Sequence, residues 1–194
     1  MNNEPSARTG VEPGTVSSRR AYSGRVISLD VDEVRFPDGS TGSLEMVRHP
    51  GASAVLPILD DESDDPEVLL IRQYRYAADG YLYEVPAGRL DAGETPAECA
   101  HRELREETGY RAERVERLFT MFTTPGFTDE KIHLFLATGL SVGQSEREYD
   151  EFLELVPTRL SLALSLIERG EIQDAKTALT LLYAARFRLG KGRG

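Results

Sequence analysis

The chain has one cysteine, Cys99. That excludes an intramolecular disulfide and any zinc cluster built on cysteines. No apolar run approaches the ~18 residues of a membrane-spanning helix. The first residues also lack the apolar core of a signal peptide. A cytoplasmic protein with no membrane partner is therefore expected. Positive charge is scarce too: 23 Lys and Arg stand against 33 Asp and Glu, for a formal net charge of −10. So negative a surface repels nucleic acid and anionic lipid, and neither is expected as a general partner. Any ligand bearing phosphate would need local cations or metal ions to dock. With 194 residues, one domain with extensions and a sizeable core is the expectation.

What is present is ordered along the chain. Residues 1–20 are polar, mixed with Pro, Gly and Ser, and are expected as a mobile tail. From Tyr22 the texture changes. "YSGRVISLDVDEVRF" alternates like a strand, "PDGS" is a turn and "SLEMVRH" is the return strand, so residues 21–50 are expected to form a small β subdomain. Residues 51–190 hold the main domain. "ASAVLPIL", "EVLLIRQY", "YLYEVPAG", "VERLFTMF", "KIHLFLAT" and "EFLELVP" suit strands. Two late helices, "RLSLALSLIER" and "DAKTALTLLYAARFRL", are stopped by Gly170 and Gly190. Strands interrupted by one central helix and closed by C-terminal helices predict an α/β fold, a mixed sheet between helical layers.

The central helix is sharply marked. Thr95 is placed to cap it, Pro96 occupies its first position, and Glu98 completes a capping box. Gly109 ends it in a left-handed conformation. At ~100° per residue, Ala97, Ala100 and Leu104 share one stripe, the predicted buried face. Glu103 and Glu107 lie on a line at its edge, Glu106 sits beside them, and Arg105 points away. Like charges at this spacing destabilise a helix unless something positive sits among them, and Arg102 neutralises only part of the cluster. A hard divalent cation takes oxygen ligands and keeps several waters, so these carboxylates could form half of a metal site. A solvated acidic face has the same local pattern.

The wider spacing separates the two. The segment "GRLDAGETPAECAHRELREETGY", Gly88 to Tyr110, resembles the signature of the Nudix hydrolases, with Gly88, Glu94, Arg102-Glu103-Leu104, Glu106-Glu107 and Gly109 at its fixed positions. Tyr110 departs from the aliphatic residue usual at the last position. "LLIRQYRYAADGYLYEVPAGRLDAGET", "TTPGFTDEKIHLFLA" and "GEIQDAKTALTLLY" are similar to the ADP-ribose pyrophosphatase branch, and Pro125 is similar to a proline that marks it. The resemblance runs from Tyr22 to Leu189.

It implies a Nudix-type α/β/α sandwich with a mixed sheet, plus a small N-terminal antiparallel sheet exchanged across a homodimer. It also implies Mg²⁺- or Mn²⁺-dependent hydrolysis of ADP-ribose to AMP and ribose 5-phosphate. Hydrolysis of another nucleoside diphosphate derivative, such as a nucleotide sugar or dinucleoside polyphosphate, is the alternative. A sensor that binds ADP-ribose without cleaving it is another. Carried over by resemblance, the metal ligands are Glu103, Glu107, Glu106 and the carbonyl of Ala87. Arg75 would grip the diphosphate, and Glu84 would lie near the adenosine or the metal. Glu130 is the candidate general base, with Glu106 and Arg102 as further catalytic candidates. Each has a plainer reading: Arg75 as a strand-end charge, Glu130 as a partner of Lys131 or a neighbour, Gly88 as a turn. His133 is expected to be packed or hydrogen-bonded, Asp174 to cap the last helix, and the arginines of "ARFR" to meet that helix's C-terminal dipole.

Overall fold

The structure, a computed structural model, describes residues 12–60, 62–143 and 153–189. The chain divides into two compact units. One contains the described residues up to His49 together with Phe122–Glu130; the other contains Pro50–Met121 and the described residues from Lys131 onward.

The first unit is a three-stranded antiparallel sheet of β1 (Gly14–Ser23), β2 (Ser28–Arg35) and β3 (Thr41–Arg48), in that order. Gly14–Arg20, expected as part of the tail, are therefore strand; residues 1–11 lie outside the described residues. Every residue of β1 is exposed. It is held by backbone pairing to β2, from Gly14–Arg35 to Ser23–Ser28, and by an ion pair between Arg20 and Asp30. A strand with no buried face has no hydrophobic alternation to reveal it. The predicted turn at Pro37–Ser40 forms: Asp38 accepts from the Ser40 amide at 3.0 Å and hydroxyl at 2.6 Å, and Gly39 takes φ +86°. Arg48, at the end of β3, binds Asp30 at 3.1 Å, Asp129 at 3.2 Å and Asp32. It thereby ties the sheet to the Phe122–Glu130 loop, whose Phe127 carbonyl accepts from Val47 N–H at 2.8 Å.

The second unit is an α/β/α sandwich. Its strands are β4 (Ala52–Asp60), β5 (Glu67–Arg75), β6 (Gly80–Glu84), β7 (Ala87–Arg89), β8 (Tyr110–Phe122), β9 (Lys131–Val142) and β10 (Leu153–Arg159). The helices are α1 (Pro96–Thr108), α2 (Leu160–Glu168) and α3 (Ala175–Phe187). The sheet runs β10-β5-β4-β9-β8, with β6 added to β5 and β7 to β4. β4 and β9 are parallel while β4–β5, β5–β10, β5–β6 and β4–β7 are antiparallel, so the sheet is mixed as expected. "YLYEVPAG" is two strands rather than one. Pro86 has no N–H to donate to a ladder, and its carbonyl instead accepts from Val55 N–H at 2.9 Å. Gly190, expected to stop α3, is outside the described residues.

β4 is apolar almost throughout because both of its faces are covered. Ala54, Leu56 and Ile58 join Leu134 and Leu136 in a core with residues of α2 and α3. Val55 turns to the opposite face, where it meets Phe135, Ala137 and the α1 residues Ala100 and Leu104. The period of two along β4 thus decides which helix layer each side chain supports. Ala97 is exposed, contrary to expectation, and Cys99 and Thr108 are buried on α1 instead. The buried face is rotated from the predicted stripe toward Glu103 and Glu107.

Leu104 has no exposed surface. Leu104→Ala should cost about 3 kcal/mol through lost burial and a residual cavity. Urea denaturation checks this, and a loss below about 1 kcal/mol would contradict the packing of α1.

Candidate active site

The site is built on α1, and α1 is fixed at both ends. Thr95 accepts from Glu98 N–H at 3.3 Å, while the Glu98 carboxylate accepts from the Thr95 amide at 2.8 Å and hydroxyl at 2.6 Å, so the capping box forms as predicted. Gly109 takes φ +77° and donates to the Arg105 carbonyl at 2.8 Å. A 13-residue helix held this way can orient side chains that repel one another.

Glu103 is 8% exposed and Glu107 only 3%. These carboxylates face inward, against β7. Ala87 N–H donates to Glu107 Oε2 at 3.0 Å. Gly88 is a glycine for lack of space: a Cβ there would fall 1.8 Å from Glu103 Oε1. The glycine therefore lets the backbone lie against a carboxylate.

Arg102 gathers the acidic groups around itself. Its Nε binds Glu94 Oε1 at 2.8 Å and its Nη2 binds Glu94 Oε2 at 2.9 Å, a bidentate pair. Nη2 also donates to the Arg89 carbonyl at 2.9 Å. Nη1 reaches Glu103 at 2.6 Å and Glu106 at 3.1 Å. The Arg102 hydrogen bonds hold the Glu94 carboxyl down at about 2, against the opposing effect of desolvation. Arg102 itself is pushed up by the same bonds. Arg105 was expected to point away, yet its Nη2 lies 3.3 Å from Glu106 Oε1, since adjacent long side chains can fold toward each other. Cys99 is buried beneath this cluster; burial first, then the charges of Glu103 and Glu94, push its thiol up to about 11, so it is inert as a nucleophile at neutral pH.

Across from α1 stands Arg75, at the end of β5. Its Nε and Nη2 make a bidentate pair with Glu84, at 2.7 and 2.8 Å. Lys176 Nζ reaches the same carboxylate at 2.5 Å and Asp174 at 3.0 Å. Burial pushes the Glu84 carboxyl up, but Arg75 and Lys176 outweigh it and hold it below the usual range. Glu84 is 1% exposed and serves two cations at once. The pair with Glu84 leaves Nη1 of Arg75 for a ligand.

Arg75, Glu103, Glu106, Glu107, Ala87 and Gly88 all line one cleft of about 340 Å³, together with Arg102 and Gln73. A second hollow of about 310 Å³ lies behind Arg75, lined in part by Leu82, Glu84, Asp174 and Lys176. Glu130 belongs to the first unit, where it accepts from Thr123 Oγ1 at 3.0 Å and lies 3.3 Å from His49 Nδ1. Thr123 and His49 are thus the neighbours that Glu130 meets. His133 is hydrogen-bonded to Thr120 Oγ1 at 2.9 Å, and Asp174 caps α3 by accepting from Thr177 N–H at 2.9 Å, both as expected. Lys176 and Gln73 were not read from the sequence. Gln73 had a signal, since it shares a strand face with Arg75, whereas Lys176 meets a partner too distant in sequence for any spacing to reveal.

Residues 48–178 match the family profile described as NUDIX domain. The chain belongs to the Nudix family. It is 41% identical over 175 residues, 89% of its length and 92% of the relative's, to the ADP-ribose pyrophosphatase of Bacillus subtilis (strain 168). It is equally 41% identical over 174 residues, again 89% and 92%, to the methanol dehydrogenase activator of Bacillus methanolicus. A solved structure titled as an ADP compounds hydrolase shares the Nudix fold, with a TM-score of 0.80 over 97% of this chain and 100% of that one, at 23% identity. No described helix is long and apolar enough to cross a membrane.

The Glu94–Arg102 pair sets a pH dependence. Because the folded carboxyl sits at about 2 and the ordinary one at 4.5, the pair stabilises the fold above 4.5 and that contribution is lost as pH falls toward about 2. Glu94→Gln should lower the urea midpoint at pH 7 and flatten its decline through this acid window. An acid decline as steep as that of the wild type would remove Glu94 from this role.

Proposed function

We propose that this Nudix enzyme hydrolyses the pyrophosphate of ADP-ribose to AMP and ribose 5-phosphate. The supporting observation is the facing arrangement in one cleft: buried Glu103 and Glu107 on one side, and the Arg75 guanidinium, with donors to spare, on the other. The 41% identity to an ADP-ribose pyrophosphatase supports the same substrate.

The donor set fits a hard divalent ion, Mg²⁺ or Mn²⁺. All of it is oxygen, from Glu103, Glu107, Glu106 and the Ala87 carbonyl, and the carboxylate of Glu103 occupies a cradle that any side chain at position 88 would fill. Among the described residues no three His, Cys, Asp or Glu side chains form a cage by themselves. When bound, such an ion neutralises phosphate charge and acidifies a water. Arg75 holds a diphosphate oxygen through Nη1 while Glu84 and Lys176 keep its guanidinium from turning. Water adds at one phosphorus, the P–O–P bridge breaks, and the proton released passes to a carboxylate. Glu130 is the first candidate for that base, and Glu106 the second. Arg102 holds the inner carboxylates in register. A cytoplasmic homodimer, with residues 21–50 exchanged between copies, belongs to the same reading.

Two relatives of equal identity bear different names, so the decisive experiment is a panel. ADP-ribose, nucleotide sugars and dinucleoside polyphosphates would be incubated with and without Mg²⁺ and the products identified. AMP and ribose 5-phosphate, formed fastest from ADP-ribose, are the expected outcome. Intact ADP-ribose beside a cleaved sugar nucleotide would reassign the substrate, and no cleavage of any member would overturn the enzymatic reading.

Glu107→Gln should keep the fold by circular dichroism and lose most Mg²⁺-dependent turnover. Glu130→Gln should lower kcat by about 10² with little change in KM, and an unchanged kcat would return the base role to α1.

A further inference from the structure

Among the described residues, Gln73 is the one neutral, hydrogen-bonding side chain lining the cleft of Arg75 and the α1 carboxylates. It is nine-tenths buried, and its Oε1 has no hydrogen-bond partner among the described residues. Its strand is paired on both sides there: Gln73 is registered with Leu153 of β10 on one side and with Leu82 of β6 on the other. Ile71, Gln73 and Arg75 alternate onto one face of β5, so the amide and the guanidinium address the cleft together, about 7 Å apart along the strand.

A buried amide oxygen without a donor is destabilising, and an apolar side chain of the same size would avoid that cost. The terminal torsion of glutamine is broad and roughly twofold, so it can offer either its oxygen or its NH₂ to the cleft. The neighbours in the cleft are carboxylates and arginines, to which anionic phosphate oxygens and cations are drawn. A neutral amide is complementary to a different kind of group. Phosphate oxygens at neutral pH accept only, whereas a sugar hydroxyl both donates and accepts, and so pairs with either end.

We propose that Gln73 is a substrate-binding residue that takes a ribose hydroxyl, setting the sugar's position while Arg75 takes the diphosphate. This rests on the ADP-ribose reading above. Two sugars flank that diphosphate, and the test separates them.

The probe is the non-hydrolysable α,β-methylene analogue of ADP-ribose, titrated calorimetrically with Mg²⁺ into wild type, Gln73→Leu and Gln73→Glu. Mg²⁺ alone and ADP, which lacks the distal ribose, are titrated in parallel. Gln73→Leu should raise the Kd of the analogue by about tenfold, leave Mg²⁺ affinity unchanged, and melt at or above the wild-type temperature because the unpaired acceptor is gone. Gln73→Glu keeps an acceptor of the same shape and should recover part of the affinity. If ADP binding is spared, the hydroxyl belongs to the distal ribose; if it falls equally, to the adenosine ribose. An unchanged Kd for the analogue, a Kd shift matched by a shift for Mg²⁺ alone, or a melting temperature lowered along with affinity would each overturn the proposal. Failure of the wild type to bind the analogue would overturn the ADP-ribose reading itself, a distinct outcome from a wild type that binds and a variant that binds as well.

Discussion

The site depends on keeping two carboxylates, Glu103 and Glu107, buried one helical turn apart. Such a pair is unfavourable twice over: like charges repel at i,i+4, and each loses hydration on burial. The fold meets the cost with groups directed at individual oxygens. Ala87 N–H serves Glu107, Nη1 of Arg102 serves Glu103, and the absent side chain of Gly88 gives Glu103 its space. The capped ends of α1 and the packing of Leu104 prevent the helix from rotating to relieve the repulsion. The charge is thus held in place by structure that gains nothing from it, a pattern expected where binding rather than stability is served.

The same logic reconciles an acidic chain with an anionic substrate. The net charge of −10 is unhelpful at long range, yet screening confines that effect to about 10 Å in ordinary salt. Within the cleft the local arrangement decides. Glu84 spends its whole carboxylate on Arg75 and Lys176, so it contributes orientation instead of free negative charge. An arginine pinned by two of its donors loses less freedom when the remaining ones meet phosphate.

Much of this was legible in the sequence because it rests on local rules. Thr95, Pro96, Glu98 and Gly109 each act within a few residues, and the structure forms every contact they predict. The continuous apolar runs of β4 and β5 announced strands covered on both faces. What stayed hidden depends on partners distant in sequence. Ala97 fits the apolar stripe but is exposed, and the face turns instead toward Glu103, where β7 lies. Gly14–Arg20 form strand through backbone pairing alone, which side-chain alternation cannot report. Lys176 meets Glu84 across 92 positions, and no spacing rule spans that distance.

The division of labour within Arg102 bears on how the site can change state. Nε and Nη2 are committed to Glu94 and the Arg89 carbonyl, on the outer side of the cluster, while Nη1 alone touches Glu103 and Glu106. The outer contacts form a bidentate, charge-assisted pair, the stronger kind. The inner arm can therefore give up its carboxylates to a competing cation while the guanidinium stays anchored by Glu94. A lysine at position 102 could not divide its contacts in this way, because a single ammonium is a point charge without the planar fork. It would have to choose between Glu94 and the α1 carboxylates, and either choice leaves one side of the cluster uncompensated.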